Sequence, residues 1–374
     1  MNAPEPSASR PQAYEKIAVI GAGSWGTALA AAAARAGRDV RLYARRPETA
    51  AEINRDRRNR AYLDDVPLPE GICAVSTLED ALHDADAVLL VVPSSGIRSM
   101  ARKIAPLTPQ GAPVVICAKG VETDSGLLLC DVAGEEMPGQ PIAVLSGPTF
   151  ADEVASDLPT TVTIASPPVP GEHLAEGVAA GLALALSAGS FRAYVSDDPV
   201  GVEIGGAMKN VIAIACGISR GAGFRANMTA ALITRGLSEM TMLATRLGGR
   251  AETVAGLSGL GDLTLTCSSE QSRNLRFGLQ LGAGATREQT FDGAHVVVEG
   301  VRNAVSVTDL ARKQGLTLPI CEAVRAIVHD DADIASTLGD LWAQPIEAES
   351  GELDVTFRHP DAEQARERIE ELIG

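Results

Sequence analysis

The stretch KIAVIGAGSWGTALAAAAARAG, residues 16–37, decides the fold class of this chain. It reads as an apolar β-like run, then a glycine-rich turn, then an alanine-rich helical run. In such a turn Gly21 permits the tight bend, Gly23 lets a pyrophosphate approach the backbone, and Gly26 lets helix and strand pack closely. The helix N-terminus offers N–H groups and partial positive charge to the phosphates. Because the next strand follows in register, the pattern favours a dinucleotide site over a purely structural glycine turn.

The end of the second β-like run, DVRLYA at residues 39–44, bears on the choice of dinucleotide. An acidic residue there would take the ribose 2′-hydroxyl of NAD, but this run is followed by Arg45 and Arg46. Two guanidinium groups suit a 2′-phosphate, so the sequence favours NADP(H), with NAD(H) as a second cofactor left open. The alternative is that both arginines are ordinary solvated surface residues.

Short β-like runs alternate with helical stretches from about residue 15 to residue 196. This alternation is typical of a parallel sheet covered by helices on both faces. The runs rich in Val and Ile that we predict as strands are KIAVI, DVRLYA, ICAV, DAVLLVV, PVVICA, PIAVLS, TTVTIA and FRAYVS.

After Pro199 the strand pattern gives way to helical periodicity, in long stretches that each close near a glycine. The predicted fold class is therefore α/β, with a Rossmann-like doubly wound N-terminal domain followed by an all-helical C-terminal domain. The predicted domain order is a disordered leader at 1–13, a dinucleotide-binding domain at 14–198, a helical substrate and catalytic domain at 199–349, and a C-terminal extension at 350–374.

Composition excludes several classes of partner. The 374 residues carry a formal charge of −16, which argues against a nucleic acid or an acidic membrane surface and leaves a small anionic substrate open. The six cysteines are scattered with no C-x-x-C pair, so buried free thiols are expected and no metal site is predicted. The N-terminal residues contain no apolar signal-peptide core, which favours a cytoplasmic protein.

One lysine stands out because the chain has 27 arginines and only five lysines. Lys209 lies in EIGGAMKNVIAI, a stretch that is otherwise apolar and helical. An arginine could bind an anion there but could not exchange a proton, whereas a buried amine has its pKa lowered toward working pH. No histidine stands in a dehydrogenase-like pattern, so Lys209 is the candidate general acid and base. The alternative is a lysine that snorkels off a helix edge.

Two glycines lie one helical turn before this lysine. Gly205 and Gly206 each cost about 1 kcal/mol relative to alanine inside a helix. We expect that cost where a substrate or a nicotinamide ring must lie close to the backbone.

Other polar residues follow strands or glycines. Lys119 comes after PVVICA, and ligands of doubly wound sheets gather beyond the carboxyl ends of strands, so it is expected to meet an anionic substrate or its carbonyl. Asp262 follows two glycines in GLSGLGD, from where it could reach a substrate hydroxyl or Lys209. Arg273 and Asn274 could hold phosphate or carboxylate oxygens. Each could instead be an ordinary cap or salt bridge.

Taken together, these motifs resemble the NAD(P)-dependent glycerol-3-phosphate dehydrogenases, the bacterial type in particular. The matching pieces run in unbroken order over roughly residues 16–349. They are GAGSWGTALA, VVPS, AKG, SGPTFADEVA, GGAMKNVIAIACG, ALITRGLSEM, GLSGLGDLTLTCSSEQSRN and VVEGVRNA.

The resemblance implies reduction of dihydroxyacetone phosphate to sn-glycerol 3-phosphate, which supplies phospholipid synthesis. It also implies a catalytic role for Lys209. The positions that match the family's substrate contacts are Lys119, Gly147, Thr149, Lys209, Asp262, Ser272, Arg273 and Asn274. Those that match its cofactor contacts, together with the glycine turn, are Ser24, Trp25, Arg45, Arg46, Tyr62, Lys119, Ala151, Arg273, Val297 and Glu299.

Two other functions remain open on the residues alone. A 3-hydroxyacid dehydrogenase would space its lysine and asparagine one helical turn apart, whereas Lys209 and Asn210 are adjacent. A dinucleotide-sensing module without turnover would not need the AMKN and QSRN stretches.

The sequence is equally compatible with a monomer and with a dimer that associates through NMTAALITRGLSEMTMLATRLG. Departures from the family pattern are the tail after Gly351 and Arg225, which replaces a more common glycine.

Overall fold

The computed structural model describes residues 14–168, 174, 177–294, 296–347, 356–357 and 360–373. The leader predicted at 1–13 therefore lies outside the described residues. The chain divides into two compact units, one formed by 1–206 and 244–262 and the other by 207–243 and 263–374.

Unit 1 is built on an eight-stranded sheet whose order is β3-β2-β1-β4-β5-β6-β7-β8. The strands are β1 Lys16–Ile20, β2 Asp39–Tyr43, β3 Ile72–Val75, β4 Ala87–Leu90, β5 Val114–Ile116, β6 Ile142–Ser146, β7 Thr160–Ala165 and β8 Phe191–Ser196. All eight coincide with the Val- and Ile-rich runs read from the sequence, and β1 to β6 pair in parallel. The predicted doubly wound fold of this part of the chain is confirmed.

The helices that accompany this sheet are α1 Ser24–Arg35, α2 Pro47–Asp56, α3 Leu78–Leu82, α4 Ile97–Ile104, α5 Leu129–Glu136, α6 Ala151–Ala155 and α7 Val178–Leu186. Alternate residues of the strands feed two separate cores. In β1, Ile17 and Val19 join one buried cluster while Ala18 and Ile20 join the other. Because successive strand side chains point to opposite faces, both faces of the sheet are covered by helices.

The last two strands run opposite to the first six. Strand β7 pairs antiparallel with β6, and β8 then pairs in parallel with β7. The connection from β6 to β7 contains only one helix, the five-residue α6, which is about 7.5 Å long. A parallel connection would have to span the length of β6, about 16 Å for five residues. Such a short helix cannot return the chain to the start of β6, so β7 runs back from the same end of the sheet.

The remaining helices are α8 Pro199–Gly221, α9 Ala226–Arg246, α10 Ala251–Val254, α11 Asp262–Ser268, α12 Arg273–Gly282, α13 Glu299–Lys313, α14 Pro319–His329, α15 Ile334–Trp342 and α16 Ala362–Ile373. The unit boundaries fall within α8 and α9 and at the start of α11. Helix α8 is long and apolar enough to cross a membrane, but its apolar window is 100% buried inside the chain, as in a core helix.

The region predicted as wholly helical, 199–349, contains one exception. Ile346–Glu347 forms β9, which pairs antiparallel with β10, Thr356–Phe357. Two residues are too few to show an alternating pattern, so this strand pairing could not be predicted from the sequence. Beyond β10, Ala362–Ile373 forms the charged helix α16.

Helices α8 and α12 of unit 2 approach each other through glycines. A Cβ on Gly217 would lie 2.3 Å from the Leu275 carbonyl oxygen, and a Cβ on Gly278 would lie 2.2 Å from the Ile214 oxygen. Gly221 and Gly282 are equally restricted one turn further along the two helices. The backbones are therefore in direct contact at this crossing, which holds the N-terminus of α12 in place.

Two buried glutamates bind the first N–H groups of neighbouring helices. Glu203 of α8 accepts from the Cys130 N–H at 3.0 Å, and Glu239 of α9 accepts from the Ile320 N–H at 2.6 Å. Burial raises the pKa of both carboxyl groups to about 7, because the hydrogen bonds from the backbone offset only part of the rise. Both groups therefore change charge near neutral pH within a folded core.

We expect Glu203→Gln to remove part of the pH dependence of stability. The folded-state pKa lies above the ordinary 4.5, so the stabilisation is complete below pH 4.5 and is lost as pH rises through about 7. This shift corresponds to about 3 kcal/mol of unfolding free energy. As pH rises from 5 to 8.5, the unfolding free energy of wild type should fall by up to about 3 kcal/mol relative to that of Glu203→Gln, as measured by urea unfolding.

The exposed Glu70→Gln provides the matched control, since its carboxyl group is solvated in the folded chain. Its stability difference from wild type should stay constant over the same pH range. Parallel pH profiles for wild type and Glu203→Gln would contradict the proposed titration.

Candidate functional site

The glycine turn has the geometry that its three glycines predict. Gly21 has φ +124°, and a Cβ there would lie 2.4 Å from the Val91 oxygen. A Cβ on Gly26 would lie 1.8 Å from the Gly21 oxygen, so this glycine permits the close packing of turn and helix. A Cβ on Gly23 would meet nothing within 4 Å. The turn is therefore closed by protein at two glycines and open at the one expected to face a pyrophosphate.

Helix α1 begins at Ser24, and its N-cap Gly23 contributes no side-chain hydrogen bond. An uncapped helix N-terminus next to open space is a favourable place for phosphate oxygens. The residues present thus fit a dinucleotide. Trp25 is half-buried and packs against the adjoining core cluster.

The segment after α2 is fastened to this turn by a residue that sequence reasoning missed. Asn59, 1% exposed, donates to the Ala22 oxygen at 3.0 Å and to Thr27 Oγ1 at 2.8 Å. Ser24 Oγ donates to the Tyr62 carbonyl oxygen at 3.3 Å, and the Tyr62 side chain is half exposed. An asparagine among arginines shows no periodicity, so only the fold reveals that it holds the turn.

Arg45 and Arg46 lie at the end of β2, where the sequence placed them. Both are exposed, and Arg46 is the N-cap residue of α2. Ala151 starts α6 and is half-buried. These positions leave the two guanidinium groups accessible to an anion.

A second cluster of unit 1 centres on Lys119. Its amine donates to Asp262 Oδ2 at 2.5 Å and to the Gly147 carbonyl oxygen at 3.2 Å. Thr149 Oγ1 donates to the same oxygen at 3.3 Å. Lys119 is 13% exposed and Asp262 is fully buried, so this is a desolvated ion pair beyond the ends of β5 and β6. Four of the predicted substrate residues are thus brought together.

The loop that carries Lys119 is held by charged side chains. Arg98 of α4 donates to both carboxylate oxygens of Glu122, at 2.9 and 2.8 Å, and this contact lowers the pKa of Glu122. Ser125 Oγ also donates to Glu122, at 2.6 Å. A two-pronged contact of this kind fixes orientation as well as position.

The glycine pair before Lys209 has a different role from the one expected. A Cβ on Gly205 would lie 2.6 Å from the Ser258 oxygen, within the segment that contains the π-helical turn Leu257–Gly261. A Cβ on Gly206 would lie 3.2 Å from Lys119 Cγ. The expectation of a substrate or nicotinamide ring against these glycines is therefore wrong, because protein atoms already occupy the space.

Lys209 lies in unit 2 and is 7% exposed, so it does not snorkel to the surface. Its amine donates to Thr266 Oγ1 at 2.9 Å, and Thr266 is itself 3% exposed. Sequence reasoning missed Thr266. The available signal was its spacing of four residues from Asp262 in α11, which places both on one face of that helix.

The start of α12 carries the other predicted substrate residues. Ser272 is the N-cap residue and accepts from the Leu275 N–H at 3.2 Å. Asn274 donates to Asn210 Oδ1 at 2.8 Å and accepts from the Gly300 N–H at 2.9 Å. Its amide thus ties α8, α12 and α13 together within unit 2, in addition to any contact with an anion.

The last predicted residues differ in accessibility. Arg273, the first residue of α12, is exposed. Val297 is 44% exposed, and Glu299 begins α13. Across the described ranges of the chain, no group of three or more His, Cys, Asp and Glu side chains is arranged to hold a metal ion.

Known proteins are similar to this chain over most of its length. Residues 16–170 match the family model described as the NAD-dependent glycerol-3-phosphate dehydrogenase N-terminus, and residues 198–339 match the corresponding C-terminus. The glycerol-3-phosphate dehydrogenase [NAD(P)+] of Caulobacter vibrioides is 50% identical over 337 residues, covering 90% of this chain and 99% of the relative. That of Rhodospirillum rubrum is 47% identical and covers 95% and 99%.

A solved structure is similar as well. The crystal structure of glycerol-3-phosphate dehydrogenase from Coxiella burnetii aligns with a TM-score of 0.81 at 39% identity. The alignment covers 88% of this chain and 98% of that one.

Proposed function

Because this chain belongs to the NAD-dependent glycerol-3-phosphate dehydrogenase family, we propose that it reduces dihydroxyacetone phosphate to sn-glycerol 3-phosphate. The observation that carries the chemical part of the proposal is the buried amine of Lys209, held by Thr266 at 2.9 Å. A bound reduced nicotinamide dinucleotide supplies the hydride that reaches C2 of the ketone. The reaction supplies the glycerol phosphate needed for phospholipid synthesis.

Lys209 acts in this proposal as the general acid for reduction and the general base for oxidation. The ketone oxygen gains negative charge during reduction, and an ammonium group within hydrogen-bonding distance can protonate it. The hydroxyl of Thr266 fixes the direction of the amine. Burial strengthens the effect, since a proton donor in a desolvated site acts more strongly than one in water.

The substrate phosphate needs cations and N–H donors. Arg273 is exposed at the start of α12, and a guanidinium group can bind two phosphate oxygens at once. Ser272 and Asn274 hold that helix terminus in position and are assigned to the same end of the substrate. We assign Lys119 to the carbonyl end, with Asp262 fixing the direction of its amine through the 2.5 Å contact.

The dinucleotide is assigned to the glycine turn of unit 1. Gly21, Gly23, Ser24, Trp25 and Gly26 form that turn, and the open space at Gly23 suits a pyrophosphate. The residues assigned beyond the turn are Arg45, Arg46, Tyr62, Lys119, Ala151, Arg273, Val297 and Glu299.

The cofactor preference is tested by initial rates with dihydroxyacetone phosphate and each reduced cofactor. We expect NADPH to be preferred, because Arg45 and Arg46 would meet its 2′-phosphate. Arg45→Ala/Arg46→Ala should lower kcat/KM with NADPH by about 100-fold, or about 3 kcal/mol for two charge-assisted contacts, and leave kcat/KM with NADH within about threefold.

The control is Arg192→Ala/Arg287→Ala, which removes two other exposed arginines and the same amount of charge. It should keep the preference of wild type. If NADPH keeps its advantage in the Arg45/Arg46 variant, this account of cofactor choice is wrong.

The same assay separates the proposed function from its competitors. A 3-hydroxyacid dehydrogenase would oxidise NADPH with a keto acid and not with dihydroxyacetone phosphate. A dinucleotide-sensing module would bind NADPH and turn over neither ketone.

Some finer assignments belong to this proposal too. The functional domains are taken as 14–198 and 199–349, with 350–374 as an extension. We place the enzyme in the cytoplasm and propose a homodimer that associates through α9, testable by sedimentation.

A further inference from the structure

A pocket in unit 2 is separate from every residue assigned above. It has a volume of about 450 Å³ and is lined by Phe224, Arg225, Ala226, Asn227, Met228, Trp342 and Ile369. These residues belong to the loop and first turn before and within α9, the end of α15, and α16. The volume falls within the range of about 300–1,000 Å³ typical of small-molecule sites.

The walls of this pocket are mainly apolar. Phe224 and Met228 come from the α8–α9 region, Trp342 from the last turn of α15, and Ile369 from α16. Trp342 is 52% exposed, although an indole of this size is usually largely buried. Large aromatic surface left open beside an apolar concavity is typical of a binding site.

Arg225 is the only charged residue among those that line the pocket. Its side chain is exposed, and within the described residues its guanidinium group has no ion-pair partner. On α15 and α16 acidic side chains outnumber basic ones, and Arg366 contacts Asp340 at 3.1 Å, Glu370 at 3.0 Å and Glu363 at 3.6 Å. Arg368 likewise contacts Glu371, at 2.9 Å. Within the described residues, Arg225 is therefore the one charged side chain that this largely apolar pocket offers to a ligand.

We propose that this pocket binds an amphipathic carboxylate, such as a medium-chain fatty-acid anion. The alkyl chain lies against Trp342, Phe224 and Ile369, and the carboxylate is bound by Arg225. A carboxylate matches a guanidinium group in a two-pronged contact, and the apolar walls lack the acceptors that a polyhydroxylated ligand would need. Asn227 is the one other polar side chain in the lining, and its amide can donate to the same carboxylate.

The site is built partly from sequence outside the matched family domains. Trp342 and Ile369 follow residue 339, where the match to the C-terminal family model ends. The pocket therefore combines residues of the matched domain, among them Arg225, with two residues that lie beyond it.

The test is a titration of the full-length protein with octanoate, followed by tryptophan fluorescence and by calorimetry. Octanoate should bind saturably and change the fluorescence, and Trp342→Phe should abolish that change because Trp25 is the only other tryptophan. Arg225→Ala should weaken binding at least about fivefold, consistent with loss of about 1 kcal/mol from a charge-assisted contact. Octylammonium, with the same chain and the opposite charge, should bind at least about tenfold more weakly than octanoate.

The matched control is Arg192→Ala, which removes an exposed arginine elsewhere and should leave octanoate binding unchanged. Three outcomes would overturn the proposal: no saturable octanoate binding, equal binding by the Arg225→Ala variant, or equal binding of octylammonium. A fourth is that Trp342→Phe shifts a dimer toward monomer in sedimentation while octanoate fails to bind. The pocket would then be covered by a second copy of the chain.

Discussion

Lys209→Met is expected to lower kcat for dihydroxyacetone phosphate by at least about a thousandfold while changing the Kd for NADPH by less than about twofold. Methionine fills a similar volume but has no exchangeable proton, so the forming alkoxide loses its acid. The buried amine is held by Thr266 at 2.9 Å, so solvent has no easy route to replace it. Single-turnover kinetics and a separate NADPH titration by fluorescence distinguish the chemical step from cofactor binding.

Two further variants isolate proton transfer from charge. Lys209→Arg retains a positive charge that does not exchange its proton, so it should be nearly as inactive as Lys209→Met. Lys103→Met removes an exposed lysine of α4 and should retain wild-type rates. Equal loss of turnover and NADPH binding in Lys209→Met would show a structural role, and substantial activity in Lys209→Arg would show that only charge is needed.

The strands and the glycine turn could be predicted because their signals are local. The central strands β1, β4 and β5 are apolar runs buried on both faces of the sheet, and such a run reads the same in any tertiary context. Gly21 and Gly26 leave no room for a Cβ, which is why a glycine spacing alone predicts the turn. Lys209 stood out by contrast with its apolar neighbours, and the structure confirms that it is buried.

What could not be predicted depends on partners distant in sequence. Thr266 lies 57 residues from Lys209 and Asn59 lies 37 residues from Ala22, and neither contact leaves a periodic trace. The same limit explains the error at Gly205 and Gly206. A helical glycine signals that something lies close, but only the fold shows that the neighbours are Ser258 and Lys119 and not a ligand.

Asp262 illustrates an intermediate case. Its position after two glycines indicated an unusual backbone conformation before it. The structure shows a π-helical turn there, which ends at Gly261. Two partners were considered from the sequence, a substrate hydroxyl and Lys209. The structure gives Lys119 as a third partner, at 2.5 Å, although the sequence had assigned this lysine to the substrate and the cofactor.

Gly278→Ala is expected to destabilise unit 2 by more than about 2 kcal/mol, although the same change in an ordinary helix stabilises by up to about 1 kcal/mol. The new Cβ would lie 2.2 Å from the Ile214 oxygen and 2.9 Å from Gly217 Cα. Both are backbone atoms, so no side-chain rotation can relieve the overlap and α8 must separate from α12. The measurement is urea unfolding, followed by far-ultraviolet circular dichroism.

Gly134→Ala in α5 is the matched control, because a Cβ there would meet nothing within 4 Å. It should be neutral or stabilise by up to about 1 kcal/mol, so the two variants should differ in sign. Asn274 lies four residues before Gly278 on α12. Separation of the helices would therefore also move Asn274 away from Asn210, and the neighbouring Arg273 would move with it. KM for dihydroxyacetone phosphate should therefore rise in Gly278→Ala even at temperatures where the variant is folded. If both variants gained stability alike, the two helices would have to cross at a wider distance than the glycines indicate.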